Sequence, residues 1–148
     1  MLKRVAITGI TGLAVFAGAA FASEDPISTR QNIMKSNGAS AGALFKMVKG
    51  EIEYDALTAE LALREIFAGA VAFPTLFPEG SETGGKTRAS PEIWKDKAGF
   101  EATALKLENA ALAAIPAATS GLDQLKASLG SVADNCQACH EKYRLEKN

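Results

Sequence analysis

Two cysteines and a histidine near the end of the chain are the residues whose types and spacing point to chemistry. Cys136, Cys139 and His140 form a Cys-x-x-Cys-His run, and the sequence has no other cysteine or histidine. This run is the signature of covalent c-type haem attachment. On one helical turn, each thiol can add to a vinyl group on the same haem edge, and the adjacent imidazole can face the iron. We therefore predict one haem c per chain, bound covalently through Cys136 and Cys139, with His140 as an axial iron ligand.

Three other interpretations of this run fit the sequence less well. A closed structural zinc site needs four cysteine or histidine ligands, and the chain offers three. A thioredoxin-like redox pair would follow a strand and begin a helix, whereas these cysteines lie near the end of a long predicted helix. The third alternative is that the run occurs by chance. An export signal at the other end of the chain favours haem attachment over all three.

The first 22 residues have the organisation of a secretory signal peptide. Lys3 and Arg4 give a positive start, an apolar uncharged stretch follows, and residues 20–22 (Ala-Phe-Ala) match the small-x-small cleavage pattern. The alternative is an uncleaved membrane anchor, but the apolar stretch is shorter than the ~20 residues that span a bilayer. We predict that residues 1–22 are removed, that residues 23–148 form one domain without a stable membrane span, and that this domain is periplasmic.

Charge and composition exclude several classes of protein. The formal net charge of −1 provides no excess of Lys and Arg, which argues against nucleic acid as a partner. Because the only histidine is assigned to iron, none remains for a Ser-His-Asp or Cys-His catalytic arrangement. We predict that the protein is not an enzyme and that its partners are redox proteins.

The remainder of the mature chain predicts helices. Strand-forming residues are sparse, Ala and Leu are abundant, and apolar residues recur at steps of three and four. We expect Asp25 and Asp55 to cap the first two helices and Pro116 to kink or end the third. The four helices are expected near residues 25–50, 55–73, 90–116 and 122–143.

The fourth predicted helix has the clearest pattern. Its apolar residues alternate in steps of three and four and so form one stripe: Leu122, Leu125, Leu129, Val132, Cys136, Cys139 and Tyr143. Both cysteines are therefore expected on the face that packs into the core. Short links favour antiparallel neighbours, so we predict an all-α fold, an antiparallel up-down-up-down four-helix bundle with the haem in its core.

Several short segments carry a resemblance to a known family. They are Asp25-Pro26-Ile27, Arg30-Gln31, Met34-Lys35, Lys49-Gly50-Glu51, Tyr54-Asp55, Leu76-Phe77-Pro78, Pro91-Glu92-Ile93-Trp94 and Cys136-x-x-Cys139-His140-x-x-Tyr143-Arg144. In this order they resemble the class II c-type cytochromes, which comprise cytochrome c′ and its low-spin relatives. The resemblance covers nearly all of residues 25–144. It is specific in the combination of the C-terminal motif with the Arg-Gln pair.

The resemblance implies roles for four further residues. By position, Arg30 and Gln31 match a pair beside the haem propionates, and Arg144 matches a basic residue near the proximal haem face. Met34 matches the residue that faces the open side of the iron. Without the resemblance, Arg30 would be a solvated helix residue and Met34 a filler of the core.

Met34 decides between two functions that the resemblance allows. In the low-spin branch a methionine here is the sixth iron ligand of an electron carrier. In cytochrome c′ the residue only blocks the distal face, and the five-coordinate high-spin iron binds nitric oxide or carbon monoxide. The Met34-Lys35-Ser36-Asn37-Gly38 stretch looks more like the low-spin branch, so electron transfer with His140 and Met34 ligation is the preferred interpretation and gas binding the alternative.

The resemblance also allows a homodimer, because cytochrome c′ relatives commonly pair through their first two helices. Leu63, Phe67 and Phe45 are candidates for an apolar patch on these helices.

Overall fold

The computed structural model describes residues 25–146, and within this range the fold consists of α-helices with no β-strand. A 3₁₀ turn follows the second helix at Phe73–Leu76. The predicted signal peptide lies outside the described residues. No helix in the described part of the chain meets the length and hydropathy needed to cross a membrane. The helices are α1 (Pro26–Val48), α2 (Ala56–Ala72), α3 (Glu92–Lys95), α4 (Lys97–Ser120) and α5 (Leu122–Tyr143).

The four long helices form the predicted four-helix bundle. Helix α1 packs on α2, α2 packs extensively on α4, and α4 packs on α5. In contrast, α1 and α5 have few contacts with each other, although they also face one another. Three of the four interfaces between neighbouring helices are therefore closely packed, and the interface between α1 and α5 is open. The all-α prediction is confirmed.

Helices α1 and α2 begin at the predicted caps. The Asp25 carboxylate accepts hydrogen bonds from the backbone N–H groups of Ile27 at 3.1 Å and Ser28 at 3.2 Å. Asp55 accepts one from the N–H of Thr58 at 2.7 Å. Each cap satisfies N–H groups that have no partner inside the helix, so the start of each helix is fixed by local sequence.

The prediction of one continuous third helix is wrong. Residues 92–95 form a single turn, α3, and Asp96 then leaves the helical conformation with φ −128° and ψ 60°. Its carboxylate accepts a hydrogen bond from the N–H of Gly99 at 3.0 Å and so caps a new helix, α4. The break follows from this side-chain cap, which competes with the backbone hydrogen bonds of a continuous helix.

Pro116 does not end α4, which continues to Ser120 before Gly121 adopts φ 126°. The proline ring lies on the exposed side, while Ala114, Ile115 and Ala118 are buried. Burial of these neighbours against the bundle outweighs the one backbone hydrogen bond that a proline removes.

The buried residues of the bundle fall into two clusters. The larger cluster fills the space among the four long helices and includes Leu125, Leu129 and Val132 from the predicted stripe of α5. The smaller cluster lies beside the end of α5 and contains Phe77, Ile93, Phe100 and Tyr143. The predicted burial of the α5 stripe is confirmed for these residues, and both cysteines are half-buried.

The proposed dimer patch is wrong in one of its residues. Leu63 is 0% exposed and belongs to the core, because it lies on the inward side of α2. Phe45 and Phe67 are half-buried and pack against the same core. The strongly exposed leucines of α2 are instead Leu57 and Leu61, one helical turn apart.

Asp96 links the start of α4 to the end of α5. Besides capping α4, its carboxylate accepts hydrogen bonds from the Lys142 ammonium at 2.6 Å and the Tyr143 hydroxyl at 3.3 Å. The Lys142 hydrogen bond and then the Gly99 N–H hold the pKa of Asp96 below its ordinary value of 3.8. This stabilisation is present above the ordinary carboxyl pKa and is lost as pH falls through the lowered value.

We predict that Asp96→Asn lowers the urea midpoint at pH 7 more than Asp55→Asn does. Both variants keep a side chain that caps a helix, but only Asp96 also pairs with a lysine. The excess loss should shrink as the pH falls through the lowered pKa of Asp96, because the native carboxylate is then protonated too. Equal losses for the two variants at pH 7 would show that the link to α5 contributes nothing.

Candidate functional site

A cavity of about 690 Å³ lies in the bundle and opens toward the loop at residues 77–91. Its walls come from all four long helices, and α1 and α5 provide most of the polar and sulfur-bearing groups. The volume is in the range of sites that enclose a cofactor-sized molecule. All seven residues singled out in the sequence line it: Arg30, Gln31, Met34, Cys136, Cys139, His140 and Arg144.

The two cysteines lie on the α5 wall of the cavity with free thiols. Burial raises the pKa of Cys136, and burial together with the neighbouring Cys136 sulfur raises the pKa of Cys139 to about 11. A thioredoxin-like pair requires the opposite shift, toward a reactive thiolate. The environment of these thiols therefore argues against the redox-pair alternative.

His140 lies in the last turn of α5 and is half-buried. Burial lowers the pKa of its imidazole, and the nearby charges of Arg144 and Arg88 lower it further. A neutral imidazole has the free lone pair that a metal ligand needs. Between residues 25 and 146, no three His, Cys, Asp or Glu side chains are arranged to hold a metal ion, so the zinc alternative has no geometric support.

Arg30 is a buried cation in the α1 wall, with 4% of its surface exposed. Its Nη2 donates a hydrogen bond to the carbonyl oxygen of Ser81 at 2.8 Å. Its guanidinium carbon lies 4.5 Å from the centre of the Phe77 ring and 5.8 Å from that of Trp94. Its Nε donates a second hydrogen bond, to the carbonyl oxygen of Pro26 at 3.2 Å. Two carbonyls and two aromatic faces thus hold this side chain in place.

One nitrogen of Arg30 has no partner among residues 25–146. Nη1 is buried and makes no hydrogen bond to any of them, although it belongs to a charged group. Burial lowers the pKa of this guanidinium, whereas Asp25 and Glu82 act to raise it. A buried charged donor left unpaired is costly, and a carboxylate on a molecule inside the cavity would satisfy it.

These features together fit a c-type haem. Two thiols and a neutral imidazole lie on one wall, the remaining lining is largely apolar, and an unpaired guanidinium nitrogen is available for a propionate. Both ends of the cofactor would therefore find groups of matching chemistry.

The loop at residues 77–91 is tied to the helices that carry these groups. The Ser90 N–H donates to the Tyr143 carbonyl at 3.0 Å, and the Leu145 N–H donates to the Arg88 carbonyl at 2.8 Å. The Gln31 amide donates to the carbonyl of Lys86 at 3.0 Å. The loop therefore joins α1 to the end of α5 across the mouth of the cavity.

The remaining predicted residues lie at this mouth. Gln31 and Arg144 both line the cavity but are exposed. Arg144 pairs in an isolated β-bridge with Ala89, and its charge affects both Cys139 and His140. Sequence reasoning did not identify Asn37, Phe77 and Arg88 as lining residues. Gly80, Gly84 and Gly85 adopt positive φ in the loop, but such turn signals do not show which side chains face a cavity.

Comparisons with known proteins agree with this geometry. A family model described as Cytochrome C′ matches residues 25–144. Cytochrome c′ of Rhodopseudomonas palustris is 38% identical over 146 residues, covering 98% of this chain and 99% of that protein. Its solved structure has a TM-score of 0.79, with 84% of this chain and 98% of that chain covered.

Two further relatives are relevant to function. Cytochrome c-556 of Agrobacterium fabrum is 40% identical over 134 residues, covering 88% of each protein. A solved nitric oxide complex of a leucine-to-isoleucine variant of cytochrome c′ from Alcaligenes xylosoxidans has a TM-score of 0.73. It is 30% identical and covers 83% of this chain and 96% of that chain.

The bundle, its cavity and the cysteine-histidine run define a c-type haem protein built on four antiparallel helices. Within that class, the chain belongs to the cytochrome c′ family of class II c-type cytochromes. It is a monohaem cytochrome with one covalently attached haem c. The predicted family, fold and cofactor are thereby confirmed.

We predict that Phe77→Leu lowers the free energy of unfolding by about 2 kcal/mol, from lost core contacts and the lost cation–π contact with Arg30. Phe73→Leu is the matched control, because Phe73 meets Phe77 edge-on at 5.1 Å but is itself only half-buried. Urea unfolding of both variants measures the difference. A loss for Phe77→Leu no larger than that for Phe73→Leu would contradict the role of the Arg30 contact.

Proposed function

We propose that this cytochrome is exported to the periplasm and binds nitric oxide or carbon monoxide. Cys136 and Cys139 would attach the haem, and His140 would be the only protein ligand to iron. The observation that carries the proposal is the arrangement of these three groups on the α5 wall, with the thioether side chain of Met34 also lining the cavity, from α1. The family match and the nitric oxide complex of a relative support gas binding.

The α5 wall and the α1 wall of the cavity would have different roles in holding the haem. When bound, the haem supplies an iron that changes oxidation state and accepts a small ligand. On the α5 wall, Cys136 and Cys139 would hold the cofactor by two covalent bonds, and His140 would offer a neutral imidazole. On the α1 wall, Met34 would shield the opposite face and limit the entry of water, which is the blocking role that the resemblance implies.

Three polar side chains would orient the cofactor. Arg30 has an unpaired buried nitrogen and would pair with a propionate. Gln31 lies next to it at the exposed end of the cavity, although its amide already donates to Lys86. Arg144 follows His140 by one helical turn in sequence and would add positive charge near the proximal side.

A second candidate function is electron transfer by a six-coordinate haem, with Met34 as the sixth ligand. The sequence interpretation preferred this function, but the comparisons support gas binding better. The observation that favours it is that Met34 lines the cavity, whereas the other described methionine, Met47, is 2% exposed in the bundle core and is not a lining residue. In both candidates, redox proteins are partners that exchange electrons with the haem, and the chain itself performs no catalysis.

We predict that the holoprotein matured in its native host has the mass of the mature chain plus one haem after denaturation. Cys136→Ser and Cys139→Ser should each retain haem through the remaining thioether, and the double variant should lose all covalent haem. Mass spectrometry of the three variants checks this. Haem that leaves the native protein in acidified acetone would contradict covalent attachment.

We predict that the ferrous protein has a broad high-spin visible spectrum that changes when carbon monoxide is added. Met34→Ala should speed carbon monoxide binding because it removes the side chain that shields the open face. Met47→Ala is the control, since Met47 is not among the residues that line the cavity. Sharp, split bands that do not respond to carbon monoxide, together with a high-spin spectrum in Met34→Ala, would instead establish the second candidate.

A further inference from the structure

Asn37 is a polar residue on the α1 wall that has no part in haem attachment, iron ligation or propionate binding. It follows Met34 by three residues, so both side chains lie on one side of α1, and both line the cavity. Its Oδ1 atom is buried and makes no hydrogen bond with any described residue. Buried amide oxygens normally have a partner, so this oxygen points to a donor that the protein does not itself supply.

Gly69 on α2 makes the space in which this amide lies. An ideal Cβ at position 69 would lie 2.5 Å from Oδ1 and 2.7 Å from Nδ2 of Asn37. Both distances are far below van der Waals contact, so any side chain there would displace the amide. Glycine is unfavourable in the middle of a helix compared with alanine, and here it preserves the position of a polar group.

The surroundings limit what the partner of Asn37 can be. Ala41, Ile66 and Leu107 also line the cavity and are apolar, whereas the charged lining residues Lys86 and Arg88 belong to the loop. Arg30, the group suited to a propionate, precedes Asn37 by two helical turns, or roughly 10 Å along α1. No residue between 25 and 146 donates to Oδ1, and the rest of a haem edge is apolar, so the missing donor is neither a described residue nor the haem.

We propose that the Asn37 carboxamide, seated against Gly69, is the hydrogen-bonding group for a small polar ligand held beside Met34. In the resting protein this ligand is a water molecule, because only water of the two can donate to the unpaired Oδ1. A diatomic gas that displaces the water would instead accept from the Nδ2–H of the same amide, whose two ends exchange by rotation. The identity of the ligand rests on the proposed function, whereas the contact between Asn37 and Gly69 does not.

The test uses holoprotein with Met34→Ala, which opens the site in both candidate functions. In this background, Asn37→Leu removes the amide at similar size, and Asn109→Leu is the control because Asn109 is exposed on α4. Loss of an N–H donor should raise the infrared stretching frequency of bound carbon monoxide. It should also speed carbon monoxide dissociation about 2- to 12-fold, the range for one hydrogen bond. Asn109→Leu should change neither.

Gly69→Ala should displace the Asn37 amide without changing residue 37 itself. It should shift the carbon monoxide band in the same direction as Asn37→Leu, and the two changes combined should shift it no further. Gly69→Ala should also raise the urea midpoint more in an Asn37→Ala protein than in the native one, because alanine then gains helix propensity without displacing an amide.

Different outcomes of these measurements identify the ligand and test whether Asn37 binds it. A shifted band supports a hydrogen bond to the diatomic ligand, and an unshifted band with faster association supports a bound water that the gas displaces. An unchanged band with unchanged rates in Asn37→Leu overturns this proposal and leaves gas binding intact. Failure of Met34→Ala to bind carbon monoxide at all overturns both this proposal and the proposed gas-binding function.

Discussion

The separation of α1 from α5 is the constraint on which the rest of the structure depends. The other neighbouring helices pack closely, and the gap between these two forms a cavity of about 690 Å³. The lining of this cavity is largely apolar, so without a cofactor it would expose to water the surface that the bundle core would otherwise bury. The haem is therefore part of the hydrophobic core, and covalent attachment keeps it there.

The two walls of this gap differ in chemistry. The α5 wall carries the residues suited to bond the cofactor, which the α5 stripe directs inward. In the described part of the chain, the buried side-chain atoms without a hydrogen-bond partner are Arg30 Nη1 and Asn37 Oδ1, and both residues lie on α1. Met34 lies between them in sequence. The α1 wall is therefore where recognition of the propionates and of a small ligand would be decided.

Sequence predicted the features that depend on local patterns. Asp25 and Asp55 cap helices through neighbouring N–H groups, and the spacing of Cys136 and Cys139 fixes their side of α5.

Features set by distant contacts were not predicted. Asp96 interrupts a helix where it also meets Lys142, and Asn37 meets Gly69 across two helices. Local spacing also could not tell whether Met34 shields the iron or binds it.

We propose that His140 is the only protein ligand to iron, with an open position on the opposite face. Resonance Raman spectroscopy of the ferrous holoprotein tests it directly, because the iron–histidine stretching band is seen in five-coordinate high-spin haem. We expect this band to be present and to disappear when carbon monoxide binds. A six-coordinate low-spin spectrum without this band would contradict it.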